Sequence, residues 1–287
     1  MSKYFDQTVK VRGGVAPVVE TPAPESPQAE PPSSLVPMPM EPAEPKAKAA
    51  EQFGSLEFPL SNILNTKFSG SNSLEPVMES YRVLRTRLLR LRSSRELRSV
   101  VITSAVQGEG KTLTSLNLAT CCAQLHDMRV LLIDADIRSC GLTRLLGSPA
   151  VPGLAEVLAG TCPAEKAVLS TDVPNLHVLA SGKPEIPPAE LLASGRFQDL
   201  LTWCNEKFRL VILDSPPILN LPDVEMITAV CDGALMVVRA QKTPRDVLQK
   251  SSSQLDPKKL LGVVYNAAEG AHHYYTYAHK PKAEERA

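Results

Sequence analysis

The stretch SAVQGEGKT, Ser104–Thr112, decides the fold of this chain. Apolar residues 100–102 precede it, and TLTSLNLAT, which begins at Thr112, has the composition of a helix. A strand, a loop and a helix are therefore predicted in that order. In the pattern A-x-x-x-x-G-K-T, backbone N–H groups surround a polyphosphate while the lysine neutralises its outer oxygens. The residues that match this pattern are Ala105, Gly110, Lys111 and Thr112. The loop predicts a nucleoside triphosphate site, for ATP, and its context disfavours an ordinary turn.

Short apolar and β-branched runs recur on both sides of this loop and predict further strands. Several are apolar throughout, which indicates strands that are covered on both faces and joined by right-handed crossovers. The chain is therefore predicted to be an α/β protein with a mostly parallel sheet flanked by helices, and its ligand should bind at the carboxyl ends of the strands. The predicted strands are Ser99–Thr103, Arg129–Asp134, Leu176–Ala180, Leu210–Asp214, Ala234–Arg239 and Leu260–Tyr265.

The composition divides the 287 residues into three parts. From Val15 to Ala50 the chain is rich in Pro, Glu, Ala and Ser and has few large apolar residues to bury, so residues 1–71 are predicted to be a disordered arm. Residues 72–267 have enough regularly spaced apolar segments for one α/β domain. Residues 268–287 are predicted to be a flexible tail.

Charge and cysteine content exclude several classes of partner and site. Lys plus Arg and Asp plus Glu number 31 each, so no overall field draws the chain to nucleic acid. The six cysteines include no C-x-x-C pair, which disfavours a zinc site or a disulfide framework and predicts reduced cytosolic thiols. The amino terminus MSKYFDQTVK lacks an apolar signal core, and no run reaches the ~18 apolar residues of a membrane span. We therefore expect any membrane association to come through a partner.

Acidic residues follow two predicted strands where a metal would be expected. RVLLIDADIR delivers Asp134 at a strand end, followed by Asp136 and Arg138, and LVILDSPP places Asp214 at another. Magnesium prefers carboxylate, hydroxyl and water oxygens, so Thr112 with one or two of these aspartates would complete a site around the phosphates. The alternative is that the aspartates cap the following helices.

Together these motifs resemble the bacterial tyrosine kinases of the CpsD/CapB type. That family carries a phosphate loop, a second motif that ends D-x-D-x-R and a third that ends D-x-P-P, and all three occur here in order. The resemblance extends from about Glu75 to Ala267, and D-A-D-I-R is its most specific part. It implies a P-loop NTPase fold of the Min/Par-like class, protein-tyrosine kinase activity, and ATP and Mg²⁺ as the bound nucleotide and metal.

The resemblance also implies a role for individual residues. It places Lys111 on the β- and γ-phosphates and Thr112 and Asp134 around magnesium, with Asp214 acting on the metal through water. Asp136 becomes the candidate base toward a tyrosine hydroxyl, and a loose phosphoryl transfer needs little more than that weak base. Asn266 becomes a candidate contact for the adenine. The remaining residues implied in nucleotide binding are Gly108, Glu109, Gly110 and Leu113.

The carboxyl tail supplies candidate phosphate acceptors. Tyr274, Tyr275 and Tyr277 resemble the cluster that these kinases phosphorylate on themselves, although a solvated or partner-binding tail remains an alternative. The neighbouring histidines lack the fixed geometry of a metal site. Tyr265, at the end of a predicted strand, is expected to be packed rather than phosphorylated.

Residues 72–93 read as an amphipathic helix with the spacing E-x-x-R-x-x-R at Glu79, Arg82 and Arg85. The family uses this motif to join subunits into a ring, here expected to be octameric, in which one subunit's tail reaches its neighbour's active site. A solvated basic face is the alternative. The resemblance further implies a cytoplasmic protein recruited to the inner face of the plasma membrane by a separate activator of the polysaccharide co-polymerase type. It also implies a cognate tyrosine phosphatase and control of capsular or exopolysaccharide synthesis and export.

Two other functions are compatible with the same loop. The Min/Par-type ATPases share the fold but carry an extra lysine early in the loop, where this chain has Val106. That difference disfavours an ATPase switch, and Gln107, where the kinases often have proline, is a tolerable departure because loop backbone contacts the phosphate. A scaffold that binds nucleotide without turnover is the other alternative.

Overall fold

The described residues of the protein, in a computed structural model, are 53–55, 60, 75–147, 152–219 and 221–268. Their strands form a single sheet. Those strands are β1 (Gly54–Ser55), β2 (Ser99–Ser104), β3 (Val130–Asp134), β4 (Val168–Ser170), β5 (Leu176–Leu179), β6 (Leu210–Asp214), β7 (Gly233–Arg239) and β8 (Leu260–Asn266). Their order across the sheet is β1-β4-β5-β3-β6-β2-β7-β8.

The sheet is parallel except for one pair. Strands β4 and β5 run antiparallel, and every other neighbouring pair is parallel. This confirms the predicted α/β fold with a mostly parallel sheet, and all six predicted strands are present with ends within one residue of those expected. Strands β2, β3 and β6 are neighbours, and every residue in them is buried. Their continuous apolar sequences follow from burial on both faces.

Helices cover both faces of the sheet and form a hydrophobic core on each side. One core gathers Phe197, Leu200 and Leu201 beneath the sheet, and the other gathers Leu88, Leu116 and Leu118. The helices in the described part of the chain are α1 (Glu75–Ser94), α2 (Lys111–Ala123), α3 (Gly141–Leu145), α4 (Leu154–Ala159), α5 (Ala164–Ala167), α6 (Pro188–Leu192), α7 (Gly195–Lys207), α8 (Asp223–Val230) and α9 (Arg245–Ser252).

Helix α2 follows the phosphate loop and is buried along nearly its whole length. The amphipathic α1, predicted over residues 72–93, packs on it through Leu84 and Leu88. Arg85 Nη1 also donates a hydrogen bond of 2.6 Å to the backbone oxygen of Cys121 in α2. Truncating Leu88, which is 2% exposed, to alanine would cost about 2–5 kcal/mol. Helix α1 is thus an integral layer of the domain.

Part of the stretch predicted as a disordered arm belongs to the folded domain. Phe53 stacks on Phe208 with 5.9 Å between ring centroids and meets His177 edge-on at 5.0 Å. Strand β1 pairs with β4, and the backbone N–H of Leu60 donates to Asp172 Oδ1 at 2.7 Å. These contacts come from distant parts of the chain, so the local composition of residues 1–71 does not reveal them. The remainder of that stretch lies outside the described residues.

One further sequence expectation has a structural outcome. Tyr265 is 64% exposed at the outer edge of the sheet, so the expectation that it is packed was wrong. Among the described strands β8 is the last of the sheet, and Val263 and Tyr265 lie two residues apart on the same face of it, where both are exposed. All six cysteines are free thiols. Within the described ranges, no helix combines the length and the apolar character that crossing a bilayer requires.

Candidate active site

The phosphate loop joins the end of β2 to the start of α2 and depends on two glycines with positive φ. Gly108 has φ 84°, and Gly110, which caps α2, has φ 95° in the left-handed region. A side chain at Gly110 would also clash with the side-chain amide of Asn266. Glycine is therefore required at position 110 both for backbone conformation and for space. The resulting turn leaves the amino end of α2 available to an anion.

Glu109 stabilises this loop from inside the protein. Its side chain accepts hydrogen bonds from the backbone N–H of Val106 at 2.9 Å, from the hydroxyl of Thr243, and from the backbone N–H of Arg239 at 3.4 Å. The residue is 2% exposed. Sequence reasoning assigned Glu109 to the nucleotide site. In the structure its carboxylate ties the loop to the region after β7, which leaves its backbone as the part that can meet a phosphate.

Lys111 and Asp136 form a buried ion pair. Lys111 Nζ lies 3.2 Å from Asp136 Oδ2, and the two side chains are 10% and 1% exposed. The other carboxylate oxygen of Asp136 accepts a hydrogen bond from the backbone N–H of Ser139 at 3.0 Å. The lysine predicted to meet phosphates and the aspartate predicted to act as base are thus in direct contact. Both oxygens of Asp136 are engaged.

Asp134 and Asp214 lie side by side because β3 and β6 pair in register at these residues. Thr143 donates to Asp134 Oδ2 from its backbone N–H and its hydroxyl, both at 2.7 Å. Asp214 Oδ1 accepts a hydrogen bond from the Ser115 hydroxyl at 3.1 Å, and the Thr112 side chain lies close enough to favour the charged form of Asp214. One oxygen of each aspartate, Asp134 Oδ1 and Asp214 Oδ2, is buried without a hydrogen-bond partner among the described residues.

These two oxygens suit a hard cation. Magnesium takes oxygen ligands, and two unpartnered carboxylate oxygens next to the Thr112 hydroxyl provide that chemistry. Within the described residues, no group of three or more His, Cys, Asp or Glu side chains is placed to hold a metal by itself. Magnesium would therefore need oxygens from phosphate or water as well, which is its usual mode of binding.

Burial sets the protonation of both aspartates. It raises the pKa of Asp214 to about 7, although the charge of Lys111 opposes the rise. Burial also raises the pKa of Asp134, and its hydrogen bonds with Thr143 oppose that rise. Each carboxyl group is thus biased toward its neutral form until a positive charge arrives. A cation or a redirected lysine would favour the charged form.

A groove of about 450 Å³ opens beside the loop, between α1, the start of α2 and the end of β8. Leu113, Asn117 and Asn266 are among its lining residues. The Asn266 amide already bonds within the chain, since its Nδ2 donates to Glu109 O at 2.8 Å and its Oδ1 accepts from Ala267 N at 2.9 Å. Asn117 is 1% exposed, and neither polar atom of its side chain has a partner in the described structure. The sequence motifs indicate Asn266 but not Asn117, which follows the loop motif by five residues in α2.

The D-A-D-I-R motif also contains a structural arginine. Arg138 forms a two-pronged ion pair with Asp223 of α8, with Nε–Oδ2 and Nη2–Oδ1 distances of 2.6 and 3.0 Å. Asp223 is 2% exposed. The pair ties the segment that carries Asp136 to α8. Its aspartate lies 85 residues away along the chain, so the motif alone does not reveal it.

The E-x-x-R-x-x-R residues of α1 divide between two environments. Glu79 and Arg82 form an ion pair of 2.9 Å in which their side chains are 51% and 37% exposed. Arg85 instead donates to Cys121 O within the same chain. The three residues therefore do not present one uniform surface to a second subunit. The candidate acceptors Tyr274, Tyr275 and Tyr277 lie outside the described residues.

Comparisons with known proteins agree with this arrangement. The family model described as AAA domain matches residues 97–249. Tyrosine-protein kinase YwqD of Bacillus subtilis (strain 168) is 36% identical over 197 residues, which cover 68% of this chain and 83% of YwqD. Tyrosine-protein kinase CpsD of Streptococcus agalactiae is 34% identical over 179 residues, covering 61% of this chain and 77% of CpsD. Some other relatives are much longer, and the chain spans 27% to 30% of their length.

A solved structure shows the same similarity. The kinase domain of Escherichia coli tyrosine kinase ETK superposes with a TM-score of 0.62 at 31% identity, covering 66% of this chain and 74% of that one. The matched residues 97–249 contain the phosphate loop and both strand-end aspartates. The relatives named here are tyrosine kinases. This chain therefore belongs to the family of bacterial tyrosine kinases.

Proposed function

We propose that this chain is an ATP-dependent autokinase that transfers phosphate to tyrosines of its own carboxyl tail, Tyr274, Tyr275 and Tyr277. One observation carries the proposal. Three features lie together at the carboxyl ends of the strands: the phosphate loop, the Lys111–Asp136 pair, and the two unpartnered carboxylate oxygens of Asp134 and Asp214. These are the groups that a phosphoryl transfer requires: an anion cradle, a movable cation, ligands for magnesium and a base.

ATP would lie along the loop with its phosphates at the amino end of α2 and its base in the neighbouring groove. The backbone N–H groups around Gly110 and Leu113 bind the phosphates. The unpartnered amide of Asn117 provides a donor and an acceptor that can meet the edge of a base in a groove that Asn266 closes. Thr112, Asp134 and Asp214 would hold magnesium, which neutralises charge on the phosphates when bound.

Lys111 and Asp136 exchange partners when the nucleotide binds. The 3.2 Å contact between them occupies one carboxylate oxygen of Asp136. Phosphate oxygens attract Lys111 away, and this frees Asp136 Oδ2 to accept the proton of a tyrosine hydroxyl. The tyrosine oxygen then bonds to the γ-phosphorus as the bond from that phosphorus to the β–γ bridging oxygen breaks. Phosphotyrosine and ADP are the products, and the proton rests on Asp136.

Phosphosite mapping by mass spectrometry tests this proposal. Wild-type protein and Lys111→Met are treated with a phosphatase, incubated with magnesium and ATP, and mapped. We expect phosphate on Tyr274, Tyr275 or Tyr277 in the wild type only, and Arg90→Gln, an exposed change on α1, should behave as wild type. ATP turnover without any phosphotyrosine would overturn the proposal and favour an ATPase switch.

We further propose that transfer occurs in trans within an octameric ring, in which α1 contributes Glu79 and Arg82 to the subunit contact. Each phosphotyrosine adds about −1.5 to −2 charges, so a cluster of them repels and weakens the docked tails. Phosphorylation then disperses the ring, and a tyrosine phosphatase restores it. Light scattering before and after addition of ATP measures the change, and an oligomer of constant size would refute it.

The place of this cycle in the cell is also proposed from the family resemblance. A membrane protein of the polysaccharide co-polymerase type would recruit the kinase to the inner face of the plasma membrane, and the cycle would control capsular or exopolysaccharide synthesis and export. The part of residues 1–71 that precedes Phe53 would serve as a tether. A strain that produces Lys111→Met should lose phosphotyrosine on this protein and make polysaccharide of altered amount or length.

A further inference from the structure

Three neighbouring strands of the sheet each begin directly after an arginine. Arg98 precedes β2, Arg129 precedes β3 and Arg209 precedes β6. The backbone joins them, since Arg209 N donates to Arg129 O at 2.8 Å and Val211 N donates to Arg98 O at 2.7 Å. Adjacent strands are about 4.8 Å apart, so the three arginines form a row across the amino ends of these strands. The phosphate loop lies at the opposite, carboxyl ends of the strands.

This arginine row, Arg98, Arg129 and Arg209, borders a pocket of about 240 Å³. Arg92, from the last turn of α1, and Lys207, from the end of α7, also line the pocket. The carboxylates on its wall are Asp127 and Glu206, so five cationic side chains face two anionic ones. In a chain of zero formal net charge this is a local positive excess.

The chain provides weak partners for these guanidinium groups. Arg92 Nη1 donates to the thioether sulfur of Met128 at 3.5 Å. Arg129 lies over the rings of Phe53 and Phe208, 5.8 and 5.4 Å from their centroids. None of these contacts is the two-pronged carboxylate pair that a guanidinium forms best.

Arg98 and Arg209 are similarly short of anionic partners. Arg98 donates to the backbone oxygen of Asn205 at 3.0 Å and lies 3.5 Å from a carboxylate oxygen of Glu96, whose side chain is 84% exposed. Within the described residues, the side chain of Arg209 has no hydrogen bond or ion pair. Burial and the nearby charges of Arg209 and Arg98 lower the pKa of Arg92, in keeping with the convergence of these side chains on one pocket.

We propose that this pocket is a binding site for a phosphate dianion, either inorganic phosphate or a phosphate monoester. A tetrahedral phosphate presents several oxygens, and each guanidinium can donate two parallel hydrogen bonds to such a group. Its charge offsets the repulsion among the arginines. Arg98 and Arg209 are exposed and border the pocket, so a phosphate carried by a larger molecule can also reach it. The ligand is either free phosphate or the phosphotyrosine of a second copy, and the two share this chemistry.

A row of arginines that merely solvates the starts of three buried strands is the alternative. In that case each arginine side chain would extend separately into solvent. Here Arg92 and Arg129 are partly buried and line one pocket together with the other arginines. The inference does not depend on the nucleotide site, because the two sites lie at opposite ends of the strands.

Calorimetric titration of orthophosphate into the full chain tests the proposal, at constant ionic strength and with ADP and magnesium present to fill the phosphate loop. We expect saturable binding that Arg209→Gln and Arg92→Gln each weaken about tenfold. Arg209→Lys, which keeps the charge and loses the fork, should weaken binding about threefold. The exposed neighbour Arg90→Gln should leave it unchanged. Absence of saturable binding, or equal affinity in all four variants, would overturn the proposal.

A second titration separates the two sources of phosphate. O-phospho-L-tyrosine replaces orthophosphate, with tyrosine as the blank. Binding more than tenfold tighter than orthophosphate identifies an aryl phosphate, while equal affinities identify free phosphate, and both depend on Arg209. Thermal unfolding in chloride alone checks the variants. Because Arg209 is exposed, its replacement by glutamine should not lower the midpoint.

Discussion

Breaking the Lys111–Asp136 pair from one side should destabilise the nucleotide-free protein far more than removing both charges. At 3.2 Å and an effective dielectric constant of 20, the attraction is about 5 kcal/mol before desolvation is subtracted. Loss of one partner of a buried pair typically costs about 3–5 kcal/mol, because the other charge stays buried alone. With Asp136 1% exposed, we expect Lys111→Met to lower the free energy of unfolding by about 3 kcal/mol.

The assay is urea unfolding of nucleotide-free protein, followed by the fluorescence of the single tryptophan, Trp203, and by circular dichroism. Lys111→Met, Asp136→Asn and the double variant complete a cycle that isolates the pair. The double variant should recover at least about half of the loss caused by Lys111→Met. Lys166→Met, an exposed change of the same kind, should stay within about 0.5 kcal/mol of wild type. If the losses in unfolding free energy of Lys111→Met and Asp136→Asn add up to that of the double variant within about 0.5 kcal/mol, this account of the pair is refuted.

Three further predictions concern Asp214, Arg138 and Asn117. Because burial raises the pKa of Asp214 to about 7, its carboxyl group binds a proton at pH 6 and loses it by pH 8. In binding titrations with magnesium, the affinity for ATP should therefore rise from pH 6 to pH 8. In the same titrations with EDTA, the affinity should stay constant. The unfolded chain releases that proton at lower pH, so the same group makes the nucleotide-free protein less stable as pH rises from 4 to 7 in urea titrations, and Asp214→Asn should remove this slope. Arg138→Lys should lower the free energy of unfolding by about 1 kcal/mol, measured in urea, because lysine cannot bond both oxygens of Asp223 at once. Asn117→Leu should weaken ATP binding about fivefold or more in a fluorescence titration. It should not lower the stability of the protein, because the change removes a buried amide that has no hydrogen-bond partner. The control Thr120→Val, on the same helix but outside the groove, should bind ATP normally.

Those three predictions have distinct contradicting outcomes. A pH dependence that persists in EDTA would assign the titration to a group other than the proposed magnesium ligands. An Arg138→Lys variant as stable as wild type would mean that Asp223 finds another partner. If Asn117→Leu binds ATP as well as Thr120→Val does, Asn117 has no part in binding the base.

The fold could be predicted where burial leaves a strong local pattern. Strands β2, β3 and β6 are continuous apolar runs because both of their faces are covered, and their ends agree with the predicted ones. Strands β1 and β4 have two and three residues, too few for any periodicity, and β1 exists only because β4 offers it an edge. Short strands of this kind are determined by distant partners.

The candidate site shows the same division. Strand-end aspartates and the glycines of the loop could be placed from the sequence, because the end of a parallel strand is a defined position in the fold. The partners of these residues could not. Thr143 on Asp134, Thr243 on Glu109 and Asp223 on Arg138 are contacts between segments that no local motif connects. The pairing of Lys111 with Asp136 is also a tertiary property, although the sequence motifs indicate each residue individually.

The hydrogen bond from Asn266 to the backbone of Glu109 fixes the starting point of the chain that leads to the proposed acceptor tyrosines. That contact attaches the last residue of β8 to the phosphate loop at 2.8 Å, so Asn266 is the fixed end of a tether. Tyr274 follows it by eight residues and Tyr277 by eleven, which gives contour lengths of at most about 29 and 40 Å. In the proposed ring, if the neighbouring active site lies between these two distances from Asn266, we expect phosphate on Tyr277 and not on Tyr274. The distance between neighbouring subunits would then determine which tyrosine is phosphorylated.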